Sequence, residues 1–126
     1  MLIRRPESTP ATPITIDGVK DVTMRVLVGR GDGAPTFALR HFTVEPGGYT
    51  PRHSHDYEHE VVIVGGSGEV EYGGETHPIR EGDVLFVEPN VVHQFRSAAD
   101  ESLAFLCLVP ISFDCGTGER VPTPGS

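Results

Sequence analysis

Turn-forming residues interrupt this chain so often that long helices have little room. The sequence contains 15 glycines and 11 prolines in 126 residues, which is nearly twice the usual share of these two residue types. No run of a dozen residues repeats its apolar side chains at the 3.6-residue period of a helix. Short β-prone runs alternate with glycine, proline, aspartate and asparagine instead. The pattern therefore predicts an all-β chain.

About nine short strands are expected, which for one small chain predicts a sandwich or a barrel. The segment Tyr72-Gly73-Gly74-Glu75 predicts a tight hairpin. The strands are predicted at Val22–Val28, Phe37–Val44, Glu60–Val64, Gly68–Tyr72, Val84–Val87, Val91–Arg96 and Leu103–Val109, with weaker runs at Ile14–Ile16 and Thr76–Ile79.

The length of 126 residues fits a single domain with two flanking segments. Residues 1–20 are expected to form an N-terminal arm, which is a candidate for an extra strand on a partner subunit. Residues 21–112 are expected to form the β-domain. Residues 113–126, rich in glycine and proline, are expected to form a C-terminal tail.

An excess of acidic residues excludes some partners. There are 10 lysines and arginines against 18 aspartates and glutamates, a net charge of −8. Binding to nucleic acid or to an anionic membrane needs a basic surface, so both are disfavoured. No apolar run approaches the ~20 residues of a spanning helix, and the N-terminus lacks the apolar stretch of a signal peptide. A cytoplasmic protein with two free thiols, Cys107 and Cys115, is expected.

Three of the six histidines, His53, His55 and His59, fall within seven residues. In a strand their side chains would share one face, and His93 could approach from a later strand. Imidazole is the commonest protein ligand of first-row transition metals, so the pattern indicates a metal site. A solvated surface loop and a pH-sensing cluster are alternative interpretations. The isolated His41 and His77 are not expected to be ligands.

The spacing around these histidines resembles the first motif of the cupin superfamily. That motif reads Gly, five residues, His-x-His, three or four residues, Glu, six residues, Gly. Here Gly47 precedes His53 and His55 at the expected interval, and Gly66 closes the motif. The place of the usual glutamate is taken by His59. Glu60 would fit the longer variant of the motif, but it has the opposite strand parity, so His59 is favoured.

The second motif is matched less closely. It reads Gly, five residues, Pro-x-Gly, two residues, His, three residues, Asn. Gly82 and His93 are in place, whereas Glu88 stands in the proline position and Ser97 in the asparagine position. Asn90 replaces the glycine, and asparagine also adopts the left-handed backbone conformation readily.

Phrases such as Arg52-His53-Ser54-His55 and Val87-Glu88-Pro89-Asn90 resemble small bacterial cupins in which four histidines bind manganese. The resemblance implies a double-stranded β-helix, that is, a jelly-roll barrel, and a homodimer. It implies His53, His55, His59 and His93 as ligands. The imidazole set also accepts Fe, Co, Ni, Cu or Zn, so manganese is favoured by the resemblance alone.

Five further side chains are candidates for the substrate pocket. Phe95 shares strand parity with His93, and Tyr57 shares parity with the three clustered histidines. Both faces of the last strand are apolar, so its pattern leaves the inward face open; the resemblance favours Phe105 and Cys107 near the metal. Arg40 is either an inward cation that pairs with an anionic substrate or a solvated outward charge, and the outward position is favoured.

Two classes of enzyme and one class of binding protein are consistent with such a site. The first is a metal-dependent oxygenase or related oxidoreductase acting on a small anionic or enolisable molecule. The second is an isomerase or lyase of small sugars or keto acids, which needs a proton-transferring side chain. The third is a module that binds a metal or a small ligand without turnover.

Overall fold

The computed structural model describes residues 1–115 and confirms the all-β expectation. Within that range the helical elements are three short 3₁₀ helices at Pro6–Ser8, Arg30–Asp32 and Ile111–Phe113. The strands are β1 (Thr12–Pro13), β2 (Lys20–Val28), β3 (Phe37–Tyr49), β4 (His59–Tyr72), β5 (Glu75–Arg80), β6 (Val84–Val87), β7 (His93–Ser97) and β8 (Leu103–Pro110).

Two long strands, β3 and β4, close the sheet into a barrel. The first half of each pairs antiparallel with β8, so that Phe105 lies between Phe42 and Ile63. The second half of β4 pairs with β7, which also reaches the end of β3 at Tyr49. The ring β3–β8–β4–β7 is therefore complete, with β1 and β2 added beside β3 and with β5 and β6 added beside β4.

The bend in β4 lies at Gly65 and Gly66. The sequence predicted two strands there, and this is wrong, because one strand runs through the glycine pair. The register with β8 shifts between Ile63 and Gly65, and Gly66 has a φ of 72°. A Cβ on Gly66 would lie 1.7 Å from the carbonyl oxygen of Ser102. Only glycine fits this close approach, so the strand bends without ending.

A bulge lies in β3 beyond the predicted strand Phe37–Val44. The strand continues through Glu45–Gly48 to Tyr49, and its register with β2 shifts there. Ser97 stabilises the bulge, because its Oγ accepts a hydrogen bond from the Gly48 amide at 3.0 Å and donates one to the Glu45 carbonyl at 2.6 Å. A hydroxyl can serve both roles at once.

Two local predictions about backbone conformation are confirmed. Tyr72 pairs with Glu75, and the two glycines between them have φ values of 59° and 86°, as a two-residue hairpin turn requires. Asn90 has a φ of 66°, so it takes the left-handed conformation in the turn before β7.

The N-terminal arm packs on its own barrel. The weak strand predicted at Ile14–Ile16 is wrong, since Thr12–Pro13 pairs with β2 instead. The Ile14 side chain turns towards the core, and Val19 packs there as well. At the other end of the chain, the buried Asp114 accepts a hydrogen bond from Arg30 Nε at 2.9 Å. The remainder of the expected tail, residues 116–126, lies outside the described residues.

The outer face of the barrel carries exposed apolar side chains. They are Val62 and Val64 on β4 and Val84 and Phe86 on β6. Contiguous apolar surface of this kind is typical of protein interfaces. The expected homodimer stays a prediction, which sedimentation velocity at micromolar concentration would test. We expect a dimer that Phe86→Asp weakens; a monomeric wild type would contradict the prediction.

None of the helical segments within residues 1–115 has the length and apolarity needed to cross a bilayer. The expected cytoplasmic location stays a prediction.

Candidate metal centre

The four histidines singled out by the sequence surround one end of the barrel interior. His59 is the first residue of β4, and His93 is the first residue of β7. Strand parity does not apply to all three clustered histidines, because His53 and His55 lie in the connection between β3 and β4. This connection bends at residues 56–57 and pairs only at an isolated bridge between His53 and His93.

The bridge fixes the connection to the barrel by two backbone hydrogen bonds. The His53 amide donates to the His93 carbonyl at 3.1 Å, and the His93 amide donates to the His53 carbonyl at 2.9 Å. The Asn90 amide donates to the His55 carbonyl. The turn before β7 therefore holds both histidines of the connection beside His93.

One ring nitrogen from each of His53, His55 and His93 lies within 4.8 Å of the other two. The Nε2 atoms of His53 and His55 are 3.0 Å apart. The ring of His59 lies 5.1 Å from that of His55 and 5.3 Å from that of His93, centroid to centroid. Three donors thus form a compact group, and a fourth imidazole stands next to it.

Hydrogen bonds orient two of these rings. His93 Nδ1 lies 2.9 Å from the carbonyl oxygen of Val91, which can only accept, so we assign the ring hydrogen to Nδ1 and leave Nε2 free to bind a metal. His59 Nδ1 lies 3.1 Å from Cys107 Sγ. Its Nε2 is buried and has no hydrogen-bond partner among the described residues. A buried unpaired nitrogen beside three other imidazoles fits a metal ligand.

Burial keeps the cluster neutral. Desolvation, with a smaller contribution from neighbouring positive charge, lowers the pKa of His53 to about 3, of His55 to about 4 and of His59 to about 2. Desolvation also lowers the pKa of His93. Metal binding requires neutral imidazole, so the donors are in the binding form at neutral pH.

These histidines line a cavity of about 50 Å³. The five pocket candidates, Arg40, Tyr57, Phe95, Phe105 and Cys107, also lie in its wall. The inward face of β8, which its sequence pattern left open, is the one that carries Phe105 and Cys107, both 3% exposed. The Phe105 ring stacks on Phe95 at 4.6 Å and on Phe42 at 5.2 Å. The cavity wall is therefore largely apolar.

Arg40 lies inside the barrel, although the sequence favoured the outward position. Its side chain is 4% exposed, and its guanidinium carbon stands 4.9 Å from the centre of the Phe42 ring. Nη2 lies 3.1 Å from Cys107 Sγ, and Nη1 is 3.4 Å from the Phe113 carbonyl oxygen. Strand parity with Phe42 was the available signal, since Phe42 also points inward.

Tyr57 is buried at one side of the cavity. Its ring stacks on Phe113 at 3.7 Å and on His55 at 4.7 Å. Burial raises the pKa of its phenol to about 12, so the hydroxyl keeps its proton at neutral pH and can donate a hydrogen bond.

Three other titratable residues lie away from the cavity. Glu60 is exposed, which leaves His59 as the residue of that pair that faces the interior. His41 lies on the outer side of β3, opposite Arg25 of β2. His77 is exposed on β5, 3.5 Å from Glu75.

Sequence reasoning missed part of the cavity wall. The missed residues come from the arm, from β2 and β3 and from the start of the histidine connection. They are Ile14, Val19, Val22, Phe42, Thr50 and Pro51. The arm residues carry no signal beyond being apolar, because their position depends on how the arm packs.

Comparison with known proteins identifies a domain family for most of the barrel. The Cupin_2 family model, a cupin domain, matches residues 40–109. This range contains all four clustered histidines and extends from Arg40 to Val109.

Several curated relatives have names of enzymes. One is the 1-methylthio-D-xylulose 5-phosphate methylsulfurylase of Rhodospirillum rubrum, 38% identical over 90 residues, which are 71% of this chain and 56% of that protein. Another is the L-ectoine synthase of Vibrio campbellii, 29% identical over 57% of each chain. The chain spans about half the length of the curated relatives it matches.

Solved structures confirm the jelly-roll barrel. The polyketide cyclase RemF from Streptomyces resistomycificus superposes with a TM-score of 0.84 at 30% identity, over 97% of this chain and 82% of that one. A cupin 2 conserved barrel domain protein from Rhodopseudomonas palustris gives a TM-score of 0.77 at 27% identity, over 96% and 84% of the two chains. The fold expected from the sequence is therefore shown.

Proposed function

Because this chain belongs to the cupin family, whose domain model matches residues 40–109, we propose that it is a metal-dependent enzyme acting on a small anionic or enolisable molecule. The proposed ligands are His53, His55, His59 and His93. The unpaired Nε2 of His59, buried beside three other imidazoles, is the observation that carries the proposal. Manganese is the proposed ion, with iron, nickel, copper, cobalt and zinc as alternatives that the same donors accept.

The charge of the proposed site favours an anionic substrate. Four neutral imidazoles leave a divalent ion with its full charge, whereas a carboxylate ligand would reduce it. When bound, such an ion supplies Lewis acidity and, if it is redox-active, electron transfer. The cavity is small and largely apolar, which limits the size of the substrate.

Two other side chains of the cavity have proposed roles, one in positioning a ligand and one in donating a proton. Cys107 holds the His59 ring through Nδ1. Tyr57 keeps its phenolic proton and can donate it in a hydrogen bond to a developing negative charge. The described cavity wall contains no aspartate or glutamate. With no carboxylate base in that wall, the proposal places the reaction at the metal, as in an oxygenase or a related oxidoreductase.

A second candidate is non-oxidative chemistry, such as isomerisation, elimination or cyclisation. The buried phenol of Tyr57 favours it, because that group can deliver a proton beside the histidines. The similar structure named as a polyketide cyclase supports it too. Oxygen uptake and product formation, measured with diketones, flavonols and oxalate, separate the candidates. Product without oxygen uptake supports the second; a loaded metal without any turnover indicates a binding module.

Metal content tests the centre itself. We expect protein purified without added metal to carry close to one transition-metal ion per chain, and His59→Ala to lose most of it, because a buried ligand is removed. His77→Ala is the matched control, since His77 is exposed and away from the cavity. Elemental analysis of the three proteins measures the ratio. A His59→Ala protein that keeps a full equivalent would remove His59 from the ligand set.

A further inference from the structure

Arg40 is a buried cation without an acidic partner among the described residues. Its side chain is 4% exposed. Its contacts there are a sulfur atom, a carbonyl oxygen at 3.4 Å and the face of a phenyl ring. The Nε–H lies buried with no acceptor. The described aspartates and glutamates that form ion pairs do so with other cations.

Burial of an unpaired charge is unfavourable. Removing a charged group from water destabilises it unless an opposite charge replaces the water. A buried histidine escapes the cost by losing its proton, but a guanidinium cannot be deprotonated in a protein. Cation–π attraction to Phe42 and a bond to sulfur offset only part of it. An anion that enters the cavity would therefore stabilise the buried charge of Arg40.

The geometry of the guanidinium selects the kind of anion. Nη2 is 3.1 Å from Cys107 Sγ, and the adjacent Nε–H is free. A planar carboxylate can accept two parallel hydrogen bonds from the Nε–H and Nη2–H groups along one edge of a guanidinium. Arginine provides this pair of donors and lysine does not. The cavity of about 50 Å³ is small compared with most ligand sites. A short-chain acid fits it better than a sugar phosphate or a polyketide.

We propose that Arg40 binds the carboxylate of the substrate, which is a short-chain carboxylic acid whose reacting carbon faces the histidines. This inference rests on the proposed function, because it assigns the substrate class of the same cavity. The histidine cluster and Arg40 lie in its wall together, so one small molecule can touch both.

Calorimetric binding tests the assignment. The probes are pyruvate and glycolate, their uncharged amides, and inorganic phosphate, each added to the manganese-loaded protein. We expect the acids to bind about ten- to hundredfold more tightly than the amides, the usual difference for a charge-assisted hydrogen bond. Arg40→Gln should remove most of this preference and leave only the part that the charge of the metal ion supplies, and Arg40→Lys should restore only part of what is lost. Arg80→Gln, at an exposed arginine on β5, is the control.

Thermal unfolding provides a second measurement beside calorimetry. Arg40→Met should melt at a higher temperature than the wild type, because a buried unpaired charge is removed, and the acids should raise its melting temperature less than they raise that of the wild type. Equal affinity for acid and amide in the wild type, an unchanged preference in Arg40→Gln, or tighter binding of phosphate than of either acid would overturn the carboxylate assignment.

The same samples separate this inference from the proposed function. If the protein binds manganese but shows no preference for acids, the carboxylate assignment fails and the metal centre stands. If it binds no metal yet binds acids through Arg40, the metal-dependent function fails and the anion site stands. Metal content measured before each titration decides between these results.

Discussion

In protein freed of metal by a chelator, lowering the pH from 7 to 5 should reduce the free energy of unfolding by an amount on the order of 5 kcal/mol. In the folded chain the pKa of His53 is about 3, that of His55 about 4 and that of His59 about 2, mainly through burial. In the unfolded chain these imidazoles have the ordinary pKa near 6.5. Below that value the unfolded state binds more protons, so acid favours unfolding.

The loss begins near pH 6.5 and continues towards the lowered folded values. Each of the three histidines contributes up to about 1.4 kcal/mol per pH unit in this window. Urea unfolding in chelator at several pH values measures the slope. His59→Ala should remove up to about 1.4 kcal/mol per pH unit from the slope, and His77→Ala, at an exposed residue away from the cavity, is the control. A stability that is flat between pH 6.5 and 5 would show that the imidazoles are exposed to water.

Gly66→Ala should destabilise the protein far more than Gly65→Ala, the neighbouring change at the bend of β4. The added Cβ would lie 1.7 Å from the Ser102 carbonyl oxygen, at a residue with a φ of 72°. Neither the backbone atom nor the dihedral angle can yield without disturbing the pairing of β4 with β8. We expect a loss of about 4 kcal/mol or more, or failure to fold.

Its neighbour provides the control. A Cβ on Gly65 would meet the Ala104 Cβ at 3.6 Å, an ordinary contact, so Gly65→Ala should change stability by no more than about 1 kcal/mol. Urea unfolding of the metal-loaded variants at pH 7 gives both values. Equal stability of the two variants would contradict the bend described for β4.

Local sequence chemistry predicted much of the barrel. The run Val84–Val87 gives the bounds of β6, and the pair Gly73-Gly74 correctly marks a tight hairpin. Glycine is less informative at Gly66 and at Gly47–Gly48, because the same residue can end a strand or allow a strand to bend. The difference depends on β7 and β8, which pair with β3 and β4 from distant parts of the sequence.

The sequence indicated which residues belong to the candidate site better than it indicated how they are arranged. The spacing of His53, His55 and His59 singled out side chains that the structure brings close together, although strand parity does not account for two of them. Alternation could not choose the inward face of β8, where both faces are apolar; that choice follows from barrel closure, which the local pattern does not contain. Arg40 shares strand parity with the inward Phe42, but a buried arginine contradicts ordinary hydropathy, so the outward position was favoured.

A residue outside the barrel strands supports one side of the cavity wall. Phe113, in the 3₁₀ helix after β8, stacks on Tyr57 at 3.7 Å, and the adjacent Asp114 is tied to Arg30. Replacing Phe113 would change the side of the cavity that Tyr57 forms, in a segment that lies outside the strands and carries none of the four histidines. A scaffold arranged in this way can acquire new substrates by editing a short segment, with little disturbance to its chemistry.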